Sequence, residues 1–313
     1  VVLTFLLKAT FVYKPHPAPS LAAGGLLNQW LMAHAHGDLH ASFLALVSVL
    51  WLVGTAFYAN YVLAAQKMMP RGTLIVALSI IIFLSLFPGT HHLTAAVLML
   101  PLLVLLFQQI TRLYNLPKAK TVIINIGLIA GGGYLLYHPF LWFLPCCFLG
   151  LAGLRAFKAN EWLLMLVSML VPLYFVLGYE FLTNQWQPFF HLPTWQGHHH
   201  RPLGTTLWYA CVATALLWLL AGVLVWQSQT RRMLIQSRKN WYQLLTLGLF
   251  CLPALWVPIG SMHETLTLLA FPAGAFAANA FIQKERSLPS VLLFWLLMIV
   301  ATAAIWGWNN GKF

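Results

Sequence analysis

Acidic side chains are almost missing from this chain: five Asp and Glu stand against 17 Lys and Arg in 313 residues, and charged residues together make up 7%. So few charges cannot cover a domain of this size in water, which excludes a soluble globular protein. Cysteine is scarce too. Cys146, Cys147, Cys211 and Cys251 all fall inside apolar runs and lack the paired spacing of a zinc knuckle. They read as small buried apolar residues, and neither a disulfide framework nor a metal knuckle is expected. Internal repeats and long hydrophilic stretches are also lacking, which leaves no separate soluble domain. What the chain has in abundance is hydrophobic residues, 61% of the total. The class that remains is an all-α, polytopic transmembrane helical bundle, one integral membrane domain over residues 1–313.

The apolar runs are 1–13, 41–65, 72–87, 93–114, 121–137, 140–154, 162–182, 206–227, 241–259, 265–282 and 290–308. That makes about 11 spans, several near the roughly 20 residues that cross a bilayer core. The connections alternate between two kinds. One kind is basic: Lys67 and Arg71; Arg112, Lys118 and Lys120; Arg155 and Lys158; Arg231, Arg232, Arg238 and Lys239; Lys284 and Arg286. Positive-inside bias makes that set cytoplasmic, with the amino terminus inside and the carboxyl terminus outside. The same bias accounts for the formal charge of +12 without a polyanion, so the expected partner is the lipid bilayer and not nucleic acid. All twelve histidines then fall on the outer side.

Two outer connections exceed a turn. In residues 14–40, Leu27, Trp30, Leu31 and Ala35 recur at helical spacing, which predicts an interfacial helix over about 24–38 lying on the outer leaflet. The second, 183–205, is rich in aromatics, Pro and His and reads as an ordered loop at the headgroup boundary. The densest polar pattern is HAHGDLH at 34–40. Its alternation of His34, His36, Asp38 and His40 suggests metal ligands, but on a helix only His36 and His40 share a face, so no metal site is assigned. Histidine boxes of the di-iron oxygenase kind and haem ligation fit no better, because neither box spacing repeats and the span histidines sit at span ends.

The carboxylates are few enough to examine singly. Glu161 and Glu285 sit among inner basic residues and are expected to pair there. Glu264 follows His263 at the start of a span, where a carboxylate complements the helix dipole. Glu180 lies near the outer end of the seventh span, at a depth where an acid needs a partner or a role. Glycines 131–133 and the stretch FPAGAFAANAF at 271–281 predict close helix packing.

The stretch Asn60–Leu182 contains NYVLAAQKMMPRGT, SLFPGTHH, INIGLIAGGGYLLYHPFLWFLP and LRAFKANEWLLMLVSMLVPLYF. Through Arg155, Phe157, Glu161, Trp162 and Pro172 it resembles an uncharacterised family of multi-pass inner-membrane proteins of Bacteroidota. More distantly, the layout is similar to lipid-linked glycosyltransferases of the GT-C type. It shares an acidic residue and interfacial helix after the first span, a glycine-bearing span ending in the turn Tyr137, His138, Pro139, and a basic inner turn before a Pro-containing span. That resemblance implies an envelope enzyme of the bacterial inner membrane acting on a polyprenyl-phosphate-linked glycan at the outer face. Asp38 would be the base, flanked by His36 and His40 and joined by Glu180, and His138, His198 and Arg201 would hold the phosphate. The alternative is a non-catalytic subunit of an envelope protein complex that docks periplasmic partners through its His-rich loops. A transporter fits less well, since only the ninth span, with Pro253 and Pro258, looks broken.

Overall fold

The computed structural model describes Gly25 and residues 41–87, 94–183, 206–254, 262–282 and 288–309. Among these residues the only regular secondary structure is helix, and there is no strand. The helices are α1 (Ala41–Ala65), α2 (Ile75–Leu86), α3 (Ala95–Arg112), α4 (Lys120–Leu136), α5 (Leu144–Leu154), α6 (Ala159–Leu182), α7 (Thr206–Gln229), α8 (Ile235–Ala254), α9 (Met262–Ala278) and α10 (Leu288–Asn309). Each apolar run from 41–65 onward therefore contributes a helix over its described residues, because a backbone surrounded by apolar groups must satisfy its own N–H and C=O bonds. Prolines 101, 172 and 272 sit inside α3, α6 and α9 without ending them. The protein is a membrane protein by these helices: five stretches, Leu46–Ala65, Ala95–Arg112, Ala159–Leu182, Thr206–Arg232 and Leu288–Gly307, are long and apolar enough to cross a bilayer. The 12 residues of α2 reach only about 18 Å, short of a roughly 30 Å core. Gly25, at the predicted start of the interfacial helix, is not helical; the rest of that helix and most of the 183–205 loop lie outside the described residues.

Burial sorts the helices into centre and rim. The centre is α9, which packs on α2, α3, α7 and α8, and α2, in which every residue but Ile75 and Leu78 is buried. Small residues allow this: a Cβ on Gly274 would meet Ile80 of α2, and one on Gly222 of α7 would meet the backbone of Phe276 and Ala277. At the rim, α6 buries 17% of its span window against 72% for α3, so its leucines and aromatics face outward as a lipid-facing helix requires. The seam between α4 and α6 is the most extensive in the bundle. There a Cβ on Gly127 would meet Ser168 and the backbone of Met165 and Met169, and one on Gly131 would meet the Met169 carbonyl and Pro172. Gly127 and Gly131 thus make a small-xxx-small contact. The predicted packing role holds for Gly131 and for Gly133, which faces Met99 and Phe140, but not for Gly132, which has open space.

Consecutive helices run in opposite directions, and this gathers the basic connections at one end. Ser237 Oγ of α8 donates to the Lys67 carbonyl (3.1 Å), Asn240 Nδ2 reaches Gln66 (3.4 Å), and Lys239 Nζ stands 5.1 Å over the Tyr114 ring. Arg155 joins the α5–α6 turn to the α3–α4 turn by donating to the Leu116 carbonyl, and it pairs bidentately with Glu161 at 3.0 Å for both bonds. Glu161 thus pairs as its basic setting predicts. Two helix exits here are left-handed, Lys67 and Asn115, both at φ 57°. Asn tolerates that conformation, whereas Lys at a position suited to Gly costs about 1 kcal/mol.

Candidate functional site

The opposite end carries no Lys or Arg among the described residues, and Tyr137, His138, Glu180 and Glu264 lie at it. The chain builds it from helix termini. α4 stops before Pro139, whose ring lacks an N–H and restricts the residue ahead of it; Tyr137 is extended (φ −144°), and its N–H returns to the Gly133 carbonyl at 2.9 Å. A 3-10 turn, His138–Phe143, then reverses the chain into α5. Glu180 sits in the last turn of α6, and Glu264 and Thr265 in the first turn of α9. Thr94 caps α3 at the same end, its hydroxyl accepting from the Val97 N–H at 3.4 Å. The Gly25 N–H donates to the Leu136 carbonyl at 2.9 Å, which ties the chain ahead of α1 to this end of α4.

Three side chains here hold enclosed polar atoms without a formed hydrogen bond. Tyr137 is 1% exposed, and its hydroxyl lies beside Thr265, short of bonding geometry, and in the field of the Glu264 carboxylate. His138 is half-buried with its ring 5.3 Å from that of Tyr134, and its Nδ1 is enclosed beside the Tyr134 backbone. Glu180 is 7% exposed, with Oε2 enclosed. α4 and α6 run parallel, Gly127 opposite Met165–Met169 and Gly131 opposite Met169–Pro172, and that register, continued, carries His138 and Glu180 to the same level. An imidazole, a phenol and two carboxylates are the groups that move protons. Polar atoms enclosed without partners are uncommon enough in folded proteins to mark a place for a ligand or a reaction.

Of the residues expected from sequence, the structure brings His138 and Glu180 to one end of the bundle; His36, Asp38, His40, His198 and Arg201 lie outside the described residues. Glu264 occupies the first helical turn as its dipole role predicts, but it is also buried, at 4% exposure, beside Tyr137. That second property, and the burial of Tyr137, which the sequence offered only as part of the turn before Pro139, escaped sequence reasoning. The available signal was a tyrosine placed directly before His-Pro at a span end. The described residues contain no cluster of three or more His, Cys, Asp or Glu side chains suited to a metal, and the four cysteines are buried and free. Residues that carry the family resemblance are structural: Arg155 pairs with Glu161, Phe157 lies 5.2 Å from Trp162, and Pro172 packs where Gly131 leaves room. They hold one turn and one helix crossing, away from the polar end. No family model, curated protein or solved structure matches this chain.

Proposed function

We propose that the protein crosses the bacterial inner membrane about 11 times with its basic end in the cytoplasm, and works at the opposite end as a transferase on a polyprenyl-phosphate-linked substrate. The observation that carries this reading is Glu180, a carboxylate covered at the end of a lipid-facing helix with Oε2 unbonded and no cation at that end among the described residues. A carboxylate kept in such a place is costly, and proton abstraction from an acceptor hydroxyl is a use for it. His138, at the same end of the bundle, supplies an imidazole for the phosphate. By sequence, Asp38 lies three residues ahead of α1 and Arg201 five ahead of α7, and both helices begin at this end. Either Asp38 or Glu180 serves as base, with His36 and His40 flanking the first, and His138, His198 and Arg201 balance the leaving phosphate.

Glu180→Gln and Asp38→Asn, in protein shown to be folded and inserted, test the assignment through the lipid-linked product. Loss of product by a factor of order 10² in at least one is expected. Normal output from both rejects the enzyme. Orientation is tested by single cysteines, for which the buried native thiols give a low background: one placed at 233–237 resists an impermeant outside label and one at 194–197 reacts. A second reading, a non-catalytic subunit of an envelope complex, draws on the outward aromatic face of α6, where Tyr174, Phe175, Tyr179 and Phe181 are exposed. It predicts that Glu180→Gln leaves the product intact while Tyr179→Ala releases a co-purifying membrane protein.

A further inference from the structure

A cavity of about 350 Å³ opens at the basic end, lined by Lys67, Met68, Met69 and Arg71 of the α1–α2 turn, Gln229 at the end of α7, and Asn279 and Ile282 after α9. Its wall is two-sided. Lys67 and Arg71 offer an ammonium and a guanidinium, the pair of donors that suits a phosphate as point charge and fork, while Met68, Met69 and Ile282 are apolar. None of the lining residues is acidic. Arg231 and Arg232 follow Gln229 after Thr230 and add to the positive field.

The turn is held before any ligand arrives. Asn60 Nδ2 donates to the Thr73 carbonyl at 2.9 Å, Thr73 Oγ1 donates to the Pro70 carbonyl at 3.0 Å, and Ser237 Oγ donates to the Lys67 carbonyl at 3.1 Å. On the facing side, the Asn279 amide donates to the Phe276 carbonyl at 3.1 Å and closes the end of α9. Such a frame lowers the ordering cost of binding. Lys67 itself occupies a left-handed backbone position (φ 57°) where the Met68 N–H returns to the Leu63 carbonyl, a helix exit that favours glycine. The chain keeps a cation at a place where backbone energy asks for none.

We infer that this cavity binds the phosphate of an anionic phospholipid headgroup, with Lys67 and Arg71 on the phosphate and the methionines against the glycerol and first acyl carbons. Basic pockets between helix ends at a membrane surface have this chemistry. The inference is independent of the transferase reading, since it concerns the other end of the bundle.

The test uses the full chain in nanodiscs of phosphatidylcholine with or without one fifth phosphatidylglycerol, reading retained lipid by native mass spectrometry after detergent extraction. Lys67→Gly suits the left-handed position, so the fold is kept while the cation is lost; Arg71→Gln is the second variant and Lys158→Gln the control. Wild type and Lys158→Gln should retain phosphatidylglycerol over phosphatidylcholine, and the Lys67→Gly/Arg71→Gln double variant should lose at least tenfold of that preference. Equal retention by wild type and the double variant overturns the site. Displacement of the lipid by millimolar inorganic phosphate, with no preference left between the two lipids, overturns the lipid as the source of the phosphate.

Discussion

At the basic end, the charged side chains and the turns close on one another: Arg155 on Glu161 and the Leu116 carbonyl, Ser237 on Lys67, and Asn240 on Gln66; the enclosed atoms left unbonded toward that end, Trp226 Nε1, Asn240 Oδ1, Trp241 Nε1 and Gln243 Oε1, are all on neutral side chains. At the opposite end, Tyr137, His138 and Glu180 stay enclosed with atoms unbonded. Both ends are made of helix termini from the same bundle, so helix geometry does not cause the difference. The basic end is arranged for stability, each bond tying one connection to the next. At its counterpart the unbonded atoms include those of ionisable side chains, for which enclosure without a partner costs more than for a neutral amide or indole. The two ends should therefore respond with opposite sign to the loss of a charged side chain.

The largest effect is expected at neither end but at the seam that sets their register. Gly131→Leu drives a side chain into the Met169 backbone and should cost at least about 3 kcal/mol or abolish folding, whereas Gly132→Leu beside it, facing open space, should leave the thermal midpoint in detergent nearly unchanged. Equal effects at the two positions would remove the seam as the organising contact. Next, Arg155→Ala leaves Glu161 partly buried and unpaired and frees the Leu116 carbonyl; a loss of about 3 kcal/mol is expected in the same melts. Glu180→Gln breaks the symmetry, since exchanging a carboxylate with an enclosed, unbonded Oε2 for a neutral amide should leave stability unchanged or raise it by about 1 kcal/mol. A destabilisation comparable to Arg155→Ala would show that Glu180 is a structural partner and erase the contrast between the ends. The smallest change belongs to Lys239→Ala, which removes a cation held 5.1 Å over Tyr114 and should cost less than about 1 kcal/mol.

Much of the architecture was legible because apolar runs and basic turns are strong one-dimensional signals. The run 206–227 opens on the residue that starts α7, and the Arg155–Glu161 pair was implied by a lone acid among cations. Glu180 and His138 stood out for a similar reason, as ionisable residues at span ends. Tyr137 did not, because a tyrosine near a membrane boundary is ordinary in sequence and its burial depends on α9 arriving from more than 120 residues later. Gly127 was overlooked beside the conspicuous triplet 131–133, since only the crossing of α4 with α6 shows which glycines face a backbone.

Composition and the period of the apolar runs alone determine that this chain is a helical membrane protein, because a backbone in an apolar medium has no other local way to satisfy its hydrogen bonds. The same one-dimensional signals separate its basic turns from its histidine-bearing ones. Tertiary structure alone decided which helices lie at the centre, that short α2 and α9 are enclosed while long α6 faces outward, and that the basic turns touch one another around a cavity. It also decided which polar atoms are enclosed without partners. Those properties depend on which surfaces meet, and hydrophobicity, being non-directional, drives burial without specifying the neighbour.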